Sequence, residues 1–82
     1  MTAMVQLLKE LERVAELNND VFEVRIVPSI HNDPNRVYYT LDVVEAEERH
    51  PFVGGGGNTP DLAALAAITR IPEACEAWGY DS

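Results

Sequence analysis

Between Met4 and Ile71 the spacing of apolar residues switches from helical to extended and back again. Met4, Leu7, Leu8, Leu11, Val14 and Ala15 recur every three to four residues and make one apolar stripe. Thr2 stands where an N-cap belongs, and Asn18-Asn19-Asp20 carries the short polar side chains that favour a turn over a continued helix. From Val21 to Val27 the period becomes two. Phe22, Val24 and Ile26 fall on one face, and Val21, Glu23, Arg25 and Val27 on the other. Pro28 cannot donate to a ladder and is expected to end this strand, with Ser29 to Asn35 as an exposed loop. Arg36 to Glu45 reads as a second strand, with Val37, Tyr39, Leu41 and Val43 toward the helices and Tyr38, Thr40, Asp42 and Val44 away from them. Two strands this close in sequence pair most simply as an antiparallel hairpin.

The second half is punctuated by glycine and proline. His50-Pro51-Phe52-Val53 reads as a short edge strand, followed by Gly54-Gly55-Gly56-Gly57, which is expected to be a mobile loop because ordering glycine costs backbone entropy. Thr59, Pro60 and Asp61 then open a helix in the order N-cap, first turn and dipole-complementing acid. Its expected buried stripe is Leu62, Leu65, Ala66, Ile68 and Ile71, while Ala63, Ala64 and Ala67 permit close approach to a neighbour. Pro72 is expected to kink the helix or to begin a short last one, Glu73 to Trp78, closed by Gly79; Trp78 and Tyr80 would pin the tail to the body. The result is a single α+β domain over residues 1–82. It is a two-layer sandwich in the order α-β-β-(β)-α, with an antiparallel sheet and helices on one face.

Composition removes several functions. Fourteen acidic residues against 6 basic ones give a net charge of −8, which disfavours direct nucleic-acid binding. Cys75 is the only cysteine, so an internal disulfide and a multi-cysteine zinc site are excluded and a reducing, cytoplasmic setting is expected. No apolar run approaches the ~20 residues of a membrane span, and the opening residues do not read as a secretory signal.

Two resemblances attach to this order of elements. A β-hairpin, a glycine run and a helix reading Thr59 to Ile68 resemble double-stranded-RNA-binding domains. That family places basic residues at the start of this helix, where this chain has Thr59, Pro60, Asp61 and Leu62, so RNA binding does not carry over. The strand pair together with Thr59-Pro60-Asp61-Leu62-Ala63-Ala64-Leu65-Ala66-Ala67 is also similar to small bacteriophage proteins of the phage ABA sandwich type, over roughly Val21 to Ile71. This second resemblance implies a phage accessory protein without catalysis, acting in the host cytoplasm.

No catalytic set can be assembled. His31 and His50, even with Asp33 and Cys75, lack the spacing of a metal site. Glu73 and Glu76 near Cys75 would raise rather than lower its pKa, so the thiol reads as buried and inert. Glu45, Glu47 and Glu48 read as a solvated turn. The glycine run before a helix could hold a small anion on the backbone of Gly54, Gly55, Gly56, Gly57, Asn58 and Thr59, but the lysine of a P-loop is missing and Asp61 opposes an anion.

The outward sheet face is more apolar than a solvated face requires. Arg25, Tyr38, Thr40 and Val44 on it are the expected partner-binding residues, either for a host protein or for a second copy. The competing expectation is that the tail with Trp78 and Tyr80 covers this face. Three functions are therefore expected as alternatives: a non-enzymatic protein that binds and blocks a host protein, such as a defence protein; a binder of a small anion or nucleotide; and an acidic mimic of nucleic acid. No cofactor or metal is expected.

Overall fold

The computed structural model describes residues 2–30 and 36–82. The element order is α1 (Ala3–Asn18), β1 (Phe22–Ile30), β2 (Val37–Glu45), β3 (Pro51–Gly57) and α2 (Pro60–Trp78). The three strands form one antiparallel sheet in the order β1-β2-β3, with both helices on one face, as an α+β sandwich requires.

Both helix starts are built as their sequences specify. The Thr2 side chain accepts from the Val5 N–H, and that of Thr59 from the Leu62 N–H. Asn19 and Gly79 close the helices in the left-handed conformation. The helices lie side by side and run the same way. Asp61 in the first turn of α2 accepts from the Met4 N–H of α1 at 3.4 Å, while the Asn18 side chain at the other end of α1 bonds both the N–H and the C=O of Asp81, at 2.9 and 3.0 Å. Leu7, Leu11 and Val14 of α1 are buried, but Leu8 is half exposed and does not join the core.

Several expectations require correction. Pro28 does not end β1, which continues to Ile30. β1 is an edge strand, where a missing N–H is tolerated if it faces outward. The glycine run is not a mobile loop but the second half of β3. Gly54, Gly55, Gly56 and Gly57 lie opposite Asp42, Leu41, Thr40 and Tyr39. Glycine suits this strand because α2 lies directly on it. A Cβ on Gly55 would run into the Ala63 carbonyl oxygen and sit 2.7 Å from the Ala67 nitrogen, and one on Gly57 would sit 2.6 Å from the Leu62 Cβ.

The same contact sets the rotation of α2. Its buried residues are Ala63, Ala64, Ala67, Ile71 and Cys75, whereas Leu62 and Leu65 are each 49% exposed. The small residues that were expected merely to permit approach are the interface, and the leucines expected in the core face outward. Pro72 neither breaks the helix nor starts a new one; α2 is continuous past it, with the ring on the exposed side.

A bulge in β3 completes the core. Val43 pairs with Val53 but Val44 with Pro51, leaving Phe52 as the extra residue. Consecutive Phe52 and Val53 are thereby both buried. Phe52 stacks on Phe22 at a centroid distance of 4.7 Å and meets the edge of Trp78 at 6.0 Å, and Tyr80 joins the cluster. The tail is pinned as expected.

Candidate functional site

Because the aromatic cluster sits on the helix side of the sheet, Trp78 and Tyr80 do not cover the opposite face. No described element does. The register places four rows of side chains on that face. Ser29 lies beside Tyr38. Val27 lies beside Thr40 and Gly56. Arg25 lies beside Asp42 and Gly54. Glu23 lies beside Val44 and Pro51. Arg25, Tyr38, Thr40 and Val44 therefore share one surface, with Arg25 and Tyr38 exposed and Thr40 and Val44 half-buried. Val27 adds an apolar side chain that is 44% exposed.

This face is uneven. Beside the bulge lies a hollow of about 590 Å³, whose rim carries Glu23, Arg25, Asp42 and Arg49 and whose floor includes Val44 and Pro51. Two acids and two guanidinium groups surround an apolar floor, a pattern suited to a polypeptide surface of mixed charge. Glu23 and Arg49 approach to 3.7 Å across the rim, and both remain more than half exposed, so the pair is loosely held. At the other end of the face the Tyr38 ring lies over Gly56, where a Cβ would overlap the ring atoms. An aromatic side chain over a glycine in the neighbouring strand shields the glycine's backbone from water.

The glycine run does not gather backbone N–H groups around one point. A strand directs successive N–H groups to opposite edges, whereas a phosphate nest needs them to converge. The first turn of α2 is also occupied: Thr59 accepts from the Leu62 N–H, Pro60 has none to offer, and the Asp61 carboxylate points to α1. Asn58 and Thr59 are exposed at this junction.

The remaining candidates are structural. Glu45 belongs to the core side of β2 and is 5% exposed, contrary to the solvated turn expected of it. Its carboxylate accepts from the Glu47 and Glu48 N–H groups at 2.9 and 2.7 Å, and these bonds hold its pKa below the ordinary glutamate range. This staples the β2–β3 turn, in which Arg49 takes a positive φ of 59°. The signal for it was the alternation of β2 carried one residue further than its last valine. Cys75 is 1% exposed, and burial pushes its thiol pKa up. The ionisable neighbours that act on it are Arg13 and Glu10 of α1, not the adjacent Glu73 and Glu76. His50 is exposed, 3.4 Å from Glu48 and edge-on to Trp78. His31 and Asp33 lie outside the described residues. Among the described residues no group of three or more His, Cys, Asp or Glu is placed to hold a metal, and no helix is long and apolar enough to cross a membrane.

No protein-family model, curated protein or solved structure matches this chain.

Proposed function

We propose that the chain is a small acidic binding protein without catalysis, of bacteriophage type, which occupies and blocks a protein of the host cytoplasm. The observation that carries this reading is the uncovered sheet face. Helices, tail and aromatic cluster all pack on the other side, and the face left open carries a hollow with a charged rim toward one end and exposed Tyr38 at the other, with Val27 between them. Tyrosine and arginine are the side chains that concentrate binding energy in such surfaces. The similarity of the strand pair and the Thr59–Ala67 helix start to phage ABA sandwich proteins supports the phage assignment. Blocking is by steric occlusion, which needs no reactive group.

The test compares capture of host proteins by the wild type, by Tyr38→Asp on the open face and by Leu65→Asp on the outer side of α2. The reading expects one stoichiometric partner that is lost with Tyr38→Asp and kept with Leu65→Asp, both variants giving the wild-type circular dichroism spectrum. A partner that ignores Tyr38→Asp and is lost with Leu65→Asp overturns the assignment of the face.

A further inference from the structure

Among the described residues no strand pairs with the outer edge of β1. The Ala46 N–H bonds the Val21 carbonyl at 2.8 Å, which fixes the parity of the strand. Val21, Glu23, Arg25 and Val27 direct their backbone groups at β2, so Phe22, Val24 and Ile26 direct theirs outward. Pro28 falls on the outward parity, where its missing N–H disturbs no bond to β2. Proteins usually blunt such an edge. The far edge of β3 is blunted: Arg70 of α2 reaches over it to the Gly54 carbonyl at 3.2 Å, and its glycines offer no side chains. The β1 edge carries instead Val21, Ile26 and Val27, which are 61%, 38% and 44% exposed.

The sequence of this edge is self-complementary. In Val21-Phe22-Glu23-Val24-Arg25-Ile26-Val27, residues equidistant from Val24 are complementary, apolar with apolar and acid with base. We propose that two copies of this chain associate by antiparallel pairing of β1 with β1 about a two-fold axis at Val24. In that register the outward N–H and C=O groups of Phe22, Val24 and Ile26 meet those of Ile26, Val24 and Phe22 of the second copy. On the open face Glu23 lies directly opposite Arg25 twice over, and each Val21 lies opposite a Val27. On the helix face each Phe22 lies opposite an Ile26. That isoleucine arrives at a hollow of about 330 Å³ between α1 and β1, where Leu8, Leu11, Ala15, Phe22 and Val24 offer apolar contact and Glu12 and Asp20 also line the wall.

Neighbouring registers are worse. An axis at Arg25 sets two guanidinium groups face to face, an axis at Glu23 sets two carboxylates face to face, and an axis at Ile26 places Pro28, which has no N–H, opposite Val24. Each copy carries −8, yet the pairing segment holds one acid and one base and is neutral, so the edge is where two such chains can approach. The product is one continuous antiparallel sheet with all helices on one side, an isologous dimer. It extends the open face across the seam and does not depend on any host partner.

The experiment is the solution mass of the purified chain by light scattering at about 0.15 M salt, with the fold checked by circular dichroism. The expected mass is twice the 9.1 kDa of the chain. Glu23→Arg alone, or Arg25→Glu alone, places like charges opposite each other in both halves of the seam and should return the mass to that of one chain. The double exchange Glu23→Arg with Arg25→Glu restores the opposite pairs and should restore the dimer. Ile26→Pro, which removes an outward N–H from an exposed position, should also give a monomer. A monomeric wild type overturns the proposal, and so does a dimer that survives the single exchanges or is not rescued by the double one. Because no host component enters the measurement, its outcome leaves the test of the host-binding face untouched.

Discussion

Substituting alanine for Gly55 tests whether the glycine run is a strand beneath a helix. The added Cβ would lie 2.7 Å from the Ala67 nitrogen and closer still to the Ala63 carbonyl oxygen, where ordinary contact begins at 3.4 Å. Both atoms belong to the backbone of α2, so no side-chain rotation relieves the clash. The helix must withdraw by about 0.7 Å to clear the Ala67 nitrogen and by more to clear the Ala63 carbonyl oxygen. Overpacking of this kind costs roughly 1–3 kcal/mol, and the backbone nature of the obstacle argues for the upper end. A domain of this size has a total stability of about 4–12 kcal/mol, and its midpoint falls by roughly 4–8 °C per kcal/mol. Thermal unfolding followed by circular dichroism should therefore show Gly55→Ala melting about 12–24 °C below the wild type. Gly54 is the control. Its Cβ would stand 3.2 Å from the Leu41 carbonyl oxygen and 3.4 Å from the Asp42 carboxylate, and the ~0.5–1 kcal/mol gained by replacing glycine in a strand offsets that crowding. Were the run a free loop, alanine would be neutral or stabilising by ~0.4–1 kcal/mol at both positions. Equal melting of Gly54→Ala and Gly55→Ala would refute the packing described here.

Helix rotation makes a second expectation: Ile71→Ala should cost about 2–5 kcal/mol in urea unfolding, whereas Leu65→Ala, at a half-exposed site, should stay within ~1 kcal/mol; equal costs would place the leucines in the core after all. Glu45 makes a third. Its folded pKa is held below the unfolded value, so its contribution is present above the ordinary glutamate range and is lost as pH falls through the depressed value; Glu45→Gln should flatten the acid side of a plot of melting temperature against pH. Tyr38 makes a fourth: Tyr38→Phe keeps the ring over Gly56 and should leave stability unchanged, while Tyr38→Ala should lose about 0.2–1 kcal/mol in the same unfolding assay.

Local chemistry was legible and long-range packing was not. The caps at Thr2, Thr59 and Gly79, the stop at Asn19 and the alternation of β2 are each decided by neighbours within a turn or a strand, and they stand where the sequence puts them. The glycine strand, the rotation of α2 and the burial of Glu45 depend on what another element brings to meet them. A hydrophobic stripe read from side-chain size chooses Leu62 and Leu65. The fold chooses Ala63 and Ala67, because a helix pressed onto Gly55 and Gly57 has no room for leucine. The readable signal was the combination, with glycines at alternate strand positions followed by alanines four apart on the helix. Pro28 and Pro72 break neither element: Pro28 lies on an edge strand with its missing N–H outward, and α2 continues past Pro72 on its exposed side despite the bond lost there. On the open face, alternation alone was enough to bring Arg25, Tyr38, Thr40 and Val44 together, whereas the hollow beside them needed the bulge at Phe52.

The close fit of α2 on β3 has a consequence for the opposite face. The glycine half of β3 contributes no side chains, so apart from Pro51 the apolar and charged groups of the open face come from β1, β2 and the turn that carries Arg49. Glycine at position 56 also leaves the β3 backbone exposed to water unless something lies over it, and Tyr38 does so. Tyr38 thus shields β3 while its ring stays exposed on the open face. Arg25 and Glu23, by contrast, have no packing duty: both are exposed, and Arg25 has no acidic partner within ion-pair distance among the described residues. Loosely held charges on an unpaired edge are selected by neither the core nor the fold. They stand at the positions where a partner strand would read them, and for that reason the seam at Val24 is the part of this surface whose occupant can be argued from the chain itself.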